Sequence, residues 1–268
     1  MKDMREVVDL LSGPDPVAAI ESRPDLFGEI IELMDGTEHP RYHCEGDVWA
    51  HTKLVIKNVA EDPDHDWLDI LIALFHDVGK RRALVENKGK HMGGHENHSV
   101  TLFWDWCSKT GFTKSEPGRT WAYQADWCIK HHMEMHRLPE HRSACRIMLI
   151  VTDYLFPRLV RLATADAKSD LGPDGKPMSD INDILSHHKV ARWIGKPAPA
   201  PIITSLDIAE WGVPLMARGT AYDIAYKMQV NGHCTNREHI KHAIMNDPKF
   251  FMKQAEAATM ETPPGEEL

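Results

Sequence analysis

The sequence predicts an all-α fold, because its apolar residues recur mostly at helical spacing. Val48, Val55 and Val59 form one stripe in a helix predicted at about 46–60. The segment 67–78 is apolar nearly all round, which is typical of a central buried helix, and Gly79 after it is a natural C-terminal stop. The alternation of β-branched residues that marks strands is scarce. These observations indicate a helical bundle built around the segment 67–78.

The rest of the chain is also predicted to be helical, with a boundary near residue 200. Apolar periodicity indicates helices at 97–109, 119–137 and 143–156 and, after Pro157, from about Arg158. A turn-rich loop covers 170–178, and the Pro-rich segment 195–201 is typical of a linker. Amphipathic segments follow at 205–211, 218–230 and 235–245. We therefore predict a main domain at 1–200, a small helical appendage at 201–250 and a flexible tail at 251–268.

Composition and charge limit the classes of function. The 268-residue chain carries a net charge of −9, so we expect no general DNA binding, which needs clustered Lys and Arg. Its longest apolar stretches, such as 70–75, are too short to cross a membrane. The five cysteines form no C-x-x-C pair and are expected to be reduced thiols, which predicts a cytoplasmic protein. The sequence does not indicate an oligomeric state.

Three residues that could bind a metal ion are predicted to point into the core. His51 lies on the apolar side of its helix, and His76 and Asp77 end the buried segment. Buried imidazoles and carboxylates are unfavourable unless they pair or bind a metal, so a divalent ion gives these three residues a shared role. Asp153 and Asp166 each follow an apolar helical segment. The residues alone leave both open as the fourth ligand.

The chemistry of such a site is hydrolytic. Two imidazoles and two carboxylates accept Mn, Ni, Co, Fe, Zn or Mg, so the ligands do not name the metal. A divalent ion lowers the pKa of a water that attacks phosphorus and neutralises charge on a phosphoryl oxygen. Lys80, about one turn away, is predicted to stabilise the phosphate. The alternative is that Lys80 only favours the C-terminal end of a helix dipole.

The order of several motifs gives the chain a resemblance to a known family. HPRYHCEGDVWAHT, LFHDVGK, GGHENHS, IKHHMEMH and RLATADAKSD resemble, in order and rough spacing, the HD domain of bacterial multifunctional CCA-adding enzymes, over about 24–245. The resemblance implies an HD-domain helical bundle whose metal ligands are His51, His76, Asp77 and Asp166, which leaves Asp153 a structural role. It also implies hydrolysis of phosphomonoesters, 2′-nucleotides and 2′,3′-cyclic phosphodiesters. The family's nucleotidyltransferase head is absent, so we do not predict nucleotide addition to tRNA.

Other residues near these motifs are candidates for further roles. His95 matches the family's Gly-His motif, which implies a catalytic role for it. His132 and His136 lie one helical turn apart, so they share a face. With His95 they could hold a second ion or contact the substrate phosphate, and a dinuclear site would also admit iron-dependent oxygenation. Arg81 and Arg82 could bind the substrate, although charged residues after a helix are more often solvated.

The function predicted from the sequence is a metal-dependent phosphohydrolase that acts on nucleotides or RNA 3′ ends, as a 2′,3′-cyclic phosphodiesterase and 2′-nucleotidase. Asp77, Lys80 and His95 are its predicted catalytic residues, with one divalent ion required and a second left open. A nucleotidase or deoxynucleoside triphosphohydrolase with the same ligands is the first alternative. A non-catalytic RNA-binding module is the second, although such a module has no need for His51, His76 and Asp77 together.

Overall fold

The computed structural model describes residues 4–38, 46–234 and 236–247, and it confirms the all-α fold. No strand occurs within these ranges, where the β-structure consists of two isolated bridges. None of the helices in this part of the chain has the length and apolar character needed to span a bilayer. The tail predicted at 251–268 lies outside the described residues.

The helices are short to medium in length and are numbered here in chain order. They are α1 Met4–Leu11, α2 Pro16–Glu21, α3 Pro24–Met34, α4 Val48–Ala60, α5 Trp67–Phe75, α6 Lys80–Glu86, α7 His95–Thr110, α8 Glu116–His136, α9 Ala144–Val151, α10 Phe156–Ser169, α11 Ile181–Ser186, α12 His188–Ala191, α13 Ser205–Glu210, α14 Arg218–Val230 and α15 Arg237–Met245. Single 3₁₀ turns occur at Phe112–Lys114, Leu138–Glu140 and Leu215–Ala217. The sequence pattern did not predict α1–α3, α6, α11 or α12.

The chain divides into two compact units. The first comprises the described residues of Met1–Glu140 and Asp153–Arg192, and the second those of His141–Thr152 and Trp193–Leu268. In the first unit α4, α8 and α10 pack against α5, and their apolar side chains form one continuous core. The second unit has its own smaller core around Ile208, Val213 and Ile240.

The centre of the first unit is α5, as its composition predicts. Its residues from Leu68 to Phe75 are all buried, and most of them are apolar. Asp66 caps the helix by accepting hydrogen bonds from the backbone N–H groups of Leu68 and Asp69, and the Asp69 side chain accepts from the Asp66 N–H in return. This reciprocal capping satisfies backbone donors that would otherwise be buried without partners.

The end of α5 differs from the sequence prediction. The helix stops at Phe75, and the following residues form a tight turn that leads into α6 at Lys80. Gly79 was predicted to end this helix, but the helix ends at Phe75 and Gly79, with a φ of −78°, is the N-cap of α6. The requirement for glycine arises from close packing instead. A Cβ at Gly79 would lie 2.3 Å from the carbonyl oxygen of His95 on α7.

The second unit repeats the capping chemistry of α5 in a different setting. Thr204 caps α13 with a hydroxyl that accepts from the N–H of Asp207, whose carboxylate accepts from Thr204 in return. Asp207 also pairs with Arg237 of α15, at 2.6 Å between Oδ1 and Nη2. The helix predicted to start at residue 235 begins at Arg237, with Asn236 as its N-cap.

Candidate metal centre

Two imidazoles and two carboxylates from three helices converge inside the first unit. His51 lies on α4, His76 and Asp77 directly follow α5, and Asp166 lies on α10. One potential ligand atom from each lies within 4.8 Å of the others. His51 Nε2 is 2.9 Å from Asp166 Oδ1 and 3.7 Å from Asp77 Oδ2, and His76 Nε2 is 3.1 Å from Asp77 Oδ2. We call these four residues the first ligand group.

Local hydrogen bonds fix the helices that carry His51 and Asp166. Asp47 caps α4 by accepting from the N–H of Ala50 at 2.8 Å, so His51 lies in the first turn of a defined helix. Two turns further along α4, the Asn58 side chain donates to Ser169 Oγ at 2.8 Å, near the end of α10. The first contact fixes the start of the helix that carries His51, and the second holds α4 against α10, the helix that carries Asp166.

His76 carries a ring nitrogen that no hydrogen bond satisfies. Its Nδ1 donates to the carbonyl of Ala73 at 2.7 Å, which fixes the ring. Its Nε2 is buried and makes no hydrogen bond with any residue that the structure describes. Burial alone would lower the pKa of His76, but Asp77 and Asp166 outweigh it and raise the pKa to about 10. The two carboxylates therefore favour a positive charge here, which a proton or a metal ion can supply.

Lys80 supplies a second positive charge beside the group. Its Nζ lies 2.5 Å from Asp77 Oδ2. Burial alone would lower the pKa of Lys80, but Asp77 reverses this and raises it. Burial alone would raise the pKa of Asp77, but His76 and Lys80 hold it well below its usual range. Asp77 is thus ionised and Lys80 protonated over the whole physiological range of pH.

A second group uses the other oxygen of the same carboxylate. Asp77 Oδ1 lies 2.9 Å from His95 Nε2 and 3.7 Å from His132 Nε2, and potential ligand atoms of the three residues lie within 4.8 Å of one another. We call Asp77, His95 and His132 the second ligand group. Asp77 therefore faces the first group with Oδ2 and the second with Oδ1, the arrangement of a carboxylate that can bridge two ions.

The ring nitrogens of the second group are arranged for a shared cation. Nδ1 of His95 donates to the carbonyl of Met92, and Nδ1 of His132 donates to that of Ile129. The two Nε2 atoms face each other at 3.1 Å. Burial lowers the pKa of His132, so its neutral ring directs an Nε2 lone pair at His95. A cation placed between two ring nitrogens at this distance would be attracted by that lone pair.

The turn after Asp77 is held against the start of α7, which positions His95. The N–H of Gly79 donates to the hydroxyl of buried Ser99 at 2.9 Å. Because Gly79 has no side chain, the turn can approach the α7 backbone closely. Ser99 lies one turn after His95, so this contact sets the distance between His95 and Asp77. Reasoning from the sequence did not identify Ser99, although its i+4 spacing from His95 was a usable signal.

The remaining candidates lie at different distances from the two groups. His136 Nε2 is 3.1 Å from Asp166 Oδ2, so His136 contacts the first group. Arg81 and Arg82 are exposed and line a cleft of about 900 Å³ between α3, α6 and α7, whose described lining includes no member of either group. Asp153 accepts from the N–H of Leu155 at 2.8 Å in the turn before α10, a local capping contact.

The residues present fit a metal ion. Each group offers imidazole nitrogens and carboxylate oxygens, a mixed donor set that suits borderline and hard divalent cations. Asp77 and Asp166 supply two negative charges. Burial alone would raise the pKa of Asp166, but its hydrogen bonds with His136 and His51 hold it well below its usual range. Backbone carbonyls fix the Nδ1 atoms of His76, His95 and His132, which orients their Nε2 atoms as they are in many metal sites. The groups could hold one ion or two.

Comparison with family models, curated proteins and solved structures returns no match for this chain. The resemblance of its motifs to an HD domain therefore stays a prediction, and the geometry of the two ligand groups carries the functional inference.

Proposed function

We propose that this chain is a metal-dependent phosphohydrolase of the HD type that acts on nucleotides or RNA 3′ ends. The observation that carries the proposal is the pair of ligand groups that share Asp77, with Lys80 against the same carboxylate. His76 Nε2 is buried beside two carboxylates and makes no hydrogen bond with a described residue, which leaves room there for a cation such as a metal ion.

Each residue has a proposed role in the site. His51, His76, Asp77 and Asp166 hold the required ion, which supplies an activated water and a charge that stabilises a phosphoryl oxygen. Lys80 contacts the substrate phosphate and offsets the charge that develops on it. His136, bonded to Asp166 and partly exposed, keeps that carboxylate oriented and lies where the substrate would enter.

The second ligand group extends the same chemistry. His95 and His132 either hold a second ion together with Asp77 or contact the substrate phosphate. The short distance between their Nε2 atoms supports the ion. A dinuclear centre also suits iron-dependent oxygenation, a second candidate that the shared Asp77 keeps open. Uptake of oxygen by the iron-loaded chain in the presence of an organophosphorus substrate, without release of a hydrolysis product, would favour that candidate.

The distribution of cations favours small phosphodiesters and monoesters over triphosphates. Lys80 and His136 border the first group, and His95 and His132 contact its Asp77. Arg81 and Arg82 line a separate cleft. A triphosphate needs additional contacts for two further phosphates. A cyclic 2′,3′-phosphodiester presents one accessible phosphorus that the ribose holds in place.

The test is hydrolysis of 2′,3′-cyclic AMP, 2′-AMP and dATP by the full chain with Mn, Ni, Co, Fe, Zn or Mg in turn. We expect the largest kcat/KM for 2′,3′-cyclic AMP with Mn, Ni or Co. A kcat/KM ratio of cyclic AMP to dATP well below one would favour the triphosphohydrolase. Bound ion without turnover of any phosphate ester would contradict the hydrolase, and RNA binding without any ion would favour the non-catalytic module.

Matched histidine variants test whether the second ligand group belongs to the active site. His132→Ala is expected to lower kcat/KM at least about ten-fold, the usual cost of disturbing a metal ligand or its partner. His131→Ala is the control, because His131 is the adjacent residue on α8 and its Nδ1 bonds the carbonyl of Trp127. Equal losses in the two variants would remove the second group from the proposed site.

A further inference from the structure

The interface between α5 and α10 contains a second polar cluster, built around the buried carboxylate of Asp69. Asp69 is 3% exposed, and each of its carboxylate oxygens accepts a hydrogen bond from an arginine of α10. Arg158 Nη1 donates to Oδ1 and Arg161 Nη1 to Oδ2, both at 2.8 Å. Arg158 also donates to both carboxylate oxygens of Asp66, at 2.8 and 2.6 Å. We call Asp66, Asp69, Arg158 and Arg161 the Asp69 cluster.

We propose that the Asp69 cluster positions Asp166 against His76 and Asp77, and so sets the affinity of the metal centre. This inference rests on the proposed metal site. It makes Asp69, Arg158 and Arg161 positioning residues, because their described polar contacts are with one another and with neighbouring acids rather than with either ligand group.

The first support is the direction of the two helices. The N-terminal parts of α5 and α10 meet at Asp69, and their C-terminal ends meet where His76 and Asp77 face Asp166. The helices therefore run in parallel. The cluster lies two turns before His76, or about 10 Å along α5, while Arg161 lies about 8 Å before Asp166 along α10. Asp69 and His76 are seven residues apart along the chain, so they project toward the same side of α5.

The second support is the geometry of the contact. Arg158 and Arg161 each donate one N–H to a different oxygen of Asp69. Arg158 also grips Asp66 with both of its Nη atoms, a fork that matches a carboxylate in one orientation. Together these contacts fix both the height and the rotation of α10 relative to α5. A shift of α10 by one residue would move it about 1.5 Å and rotate it about 100°, which would turn Asp166 away from His76. Apolar side chains tolerate small shifts and do not specify such a register.

The third support is energetic. Replacing a buried ion pair by apolar residues of similar size is often neutral or even stabilising, so stability alone does not account for a buried acid and two arginines in an otherwise apolar interface. A requirement for one register between α5 and α10 accounts for these charged residues. Asp69 was also visible in the sequence as the only charged residue within the apolar segment WLDILIALF.

The second unit offers a matched control for this proposal. Asp207 occupies the same position in a reciprocal helix cap as Asp69 does, and it also pairs with an arginine, Arg237. It is 8% exposed, yet neither ligand group includes a residue of the second unit. Asp69→Asn and Asp207→Asn thus remove the same kind of charge and the same kind of pair.

The experiment titrates Co²⁺ into the full chain and its variants, following visible absorption and the melting temperature. We expect both variants to melt at a lower temperature. Only Asp69→Asn is expected to raise the Kd for Co²⁺, by about ten-fold, and to change the absorption spectrum of the bound ion. Folded Asp69→Asn with the parent's Kd and spectrum would overturn the positioning role, as would an equal rise in Kd for Asp207→Asn.

A second variant covers the case in which Asp69→Asn does not fold. Arg161→Lys keeps the positive charge but loses the planar fork, so it is expected to weaken Co²⁺ binding by a smaller factor while the chain stays folded. An unchanged Kd in folded Arg161→Lys would overturn the proposal. A parent chain that binds no ion would overturn the metal site together with the positioning role of the Asp69 cluster. A parent chain that binds Co²⁺ but hydrolyses no phosphate ester would contradict only the proposed hydrolase activity.

Discussion

Helices α5 and α10 each contribute to two polar clusters of opposite character, the Asp69 cluster and the first ligand group. In the Asp69 cluster two carboxylates face two guanidiniums, so the formal charges cancel, and both oxygens of Asp69 accept hydrogen bonds. In the first ligand group two carboxylates face imidazoles and Lys80, and His76 Nε2 has no hydrogen bond among the described residues. Asp69 and the acids of the first ligand group are all largely enclosed, but only the first ligand group contains a buried ring nitrogen without a hydrogen bond, where a metal ion could replace a proton.

The difference separates a structural role from a functional one. Arginine is always charged and has no lone pair that could bind a metal, so it neutralises a carboxylate at any physiological pH and leaves no place for an ion. Imidazole can exchange its proton for a metal ion, so a carboxylate that faces imidazoles keeps a place for that ion. We therefore expect substitutions in the first ligand group to abolish metal binding and catalysis, and substitutions in the Asp69 cluster to act more weakly on both.

The largest effect is expected for Asp77→Asn. Asp77 faces both ligand groups, one with each oxygen, so the amide removes the charge that both share. We expect ion content to fall to background and kcat/KM to fall by about a thousand-fold or more, as when a metal's charge stabilisation is lost. Metal analysis together with the hydrolysis assay measures both. Retention of the ion in Asp77→Asn would show that Asp77 is not a ligand.

The next largest effect on hydrolysis is expected for Asp166→Ala, with Asp153→Ala as the comparison. Asp166→Ala is expected to abolish hydrolysis and weaken ion uptake, because Asp166 lies among the potential ligand atoms. Asp153→Ala is expected to cost about 0.5–1 kcal/mol of unfolding free energy with turnover unchanged, because Asp153 caps a turn. Turnover assays with urea unfolding of each variant separate the two roles. Wild-type turnover by Asp166→Ala would contradict this assignment.

A smaller effect is expected for Lys80→Ala. The variant should keep its ion but lower kcat by roughly ten- to a thousand-fold, since one charge that stabilises the transition state is lost. Lys57→Ala, an exposed lysine on α4, is the control and should match the parent. If Lys80→Ala changes only the melting temperature, the helix-dipole alternative is correct.

The smallest effect concerns the acid stability of the Asp69 cluster. Burial alone would raise the pKa of Asp66, but Arg158 outweighs it and lowers the pKa below its usual value near 4. The contribution of this pair is therefore complete above the unfolded pKa and is lost as pH falls through the lower folded pKa. Asp66→Asn keeps the helix cap, because Asn caps as well as Asp.

Urea unfolding of the parent and Asp66→Asn at pH 7 and at pH 2.5 measures this contribution. We expect a difference of less than about 1 kcal/mol at pH 7, because Asp66 is partly exposed, and a smaller difference at pH 2.5. A difference that grows in acid would contradict the ion pair as its source.

The sequence predicted part of the site for a local reason. Helical periodicity shows which side of a segment faces the core, so it placed His51 inward, and composition alone marked the segment before His76 and Asp77 as buried. The residues alone could not choose between Asp153 and Asp166. That choice came from the family resemblance, and in the structure Asp166 lies in the first ligand group while Asp153 caps a turn.

Other features depended on contacts between helices, which sequence spacing does not encode. Gly79 was predicted as a helix stop, but its packing against α7 explains the glycine. Arg81 and Arg82 follow Lys80 directly in the sequence, yet they line a separate cleft, because successive residues of a helix point in different directions.

By itself, the sequence determined the helical class, the burial of α5 and the inward direction of His51, because these follow from patterns within single helices. The tertiary structure decided that Asp77 would face two ligand groups, that Ser99 would hold the turn beside His95, and that arginines of α10 would enclose Asp69. Each of these is a meeting of side chains from different helices. Their positions depend on how the helices pack and in which register, and a periodic pattern leaves that register undetermined.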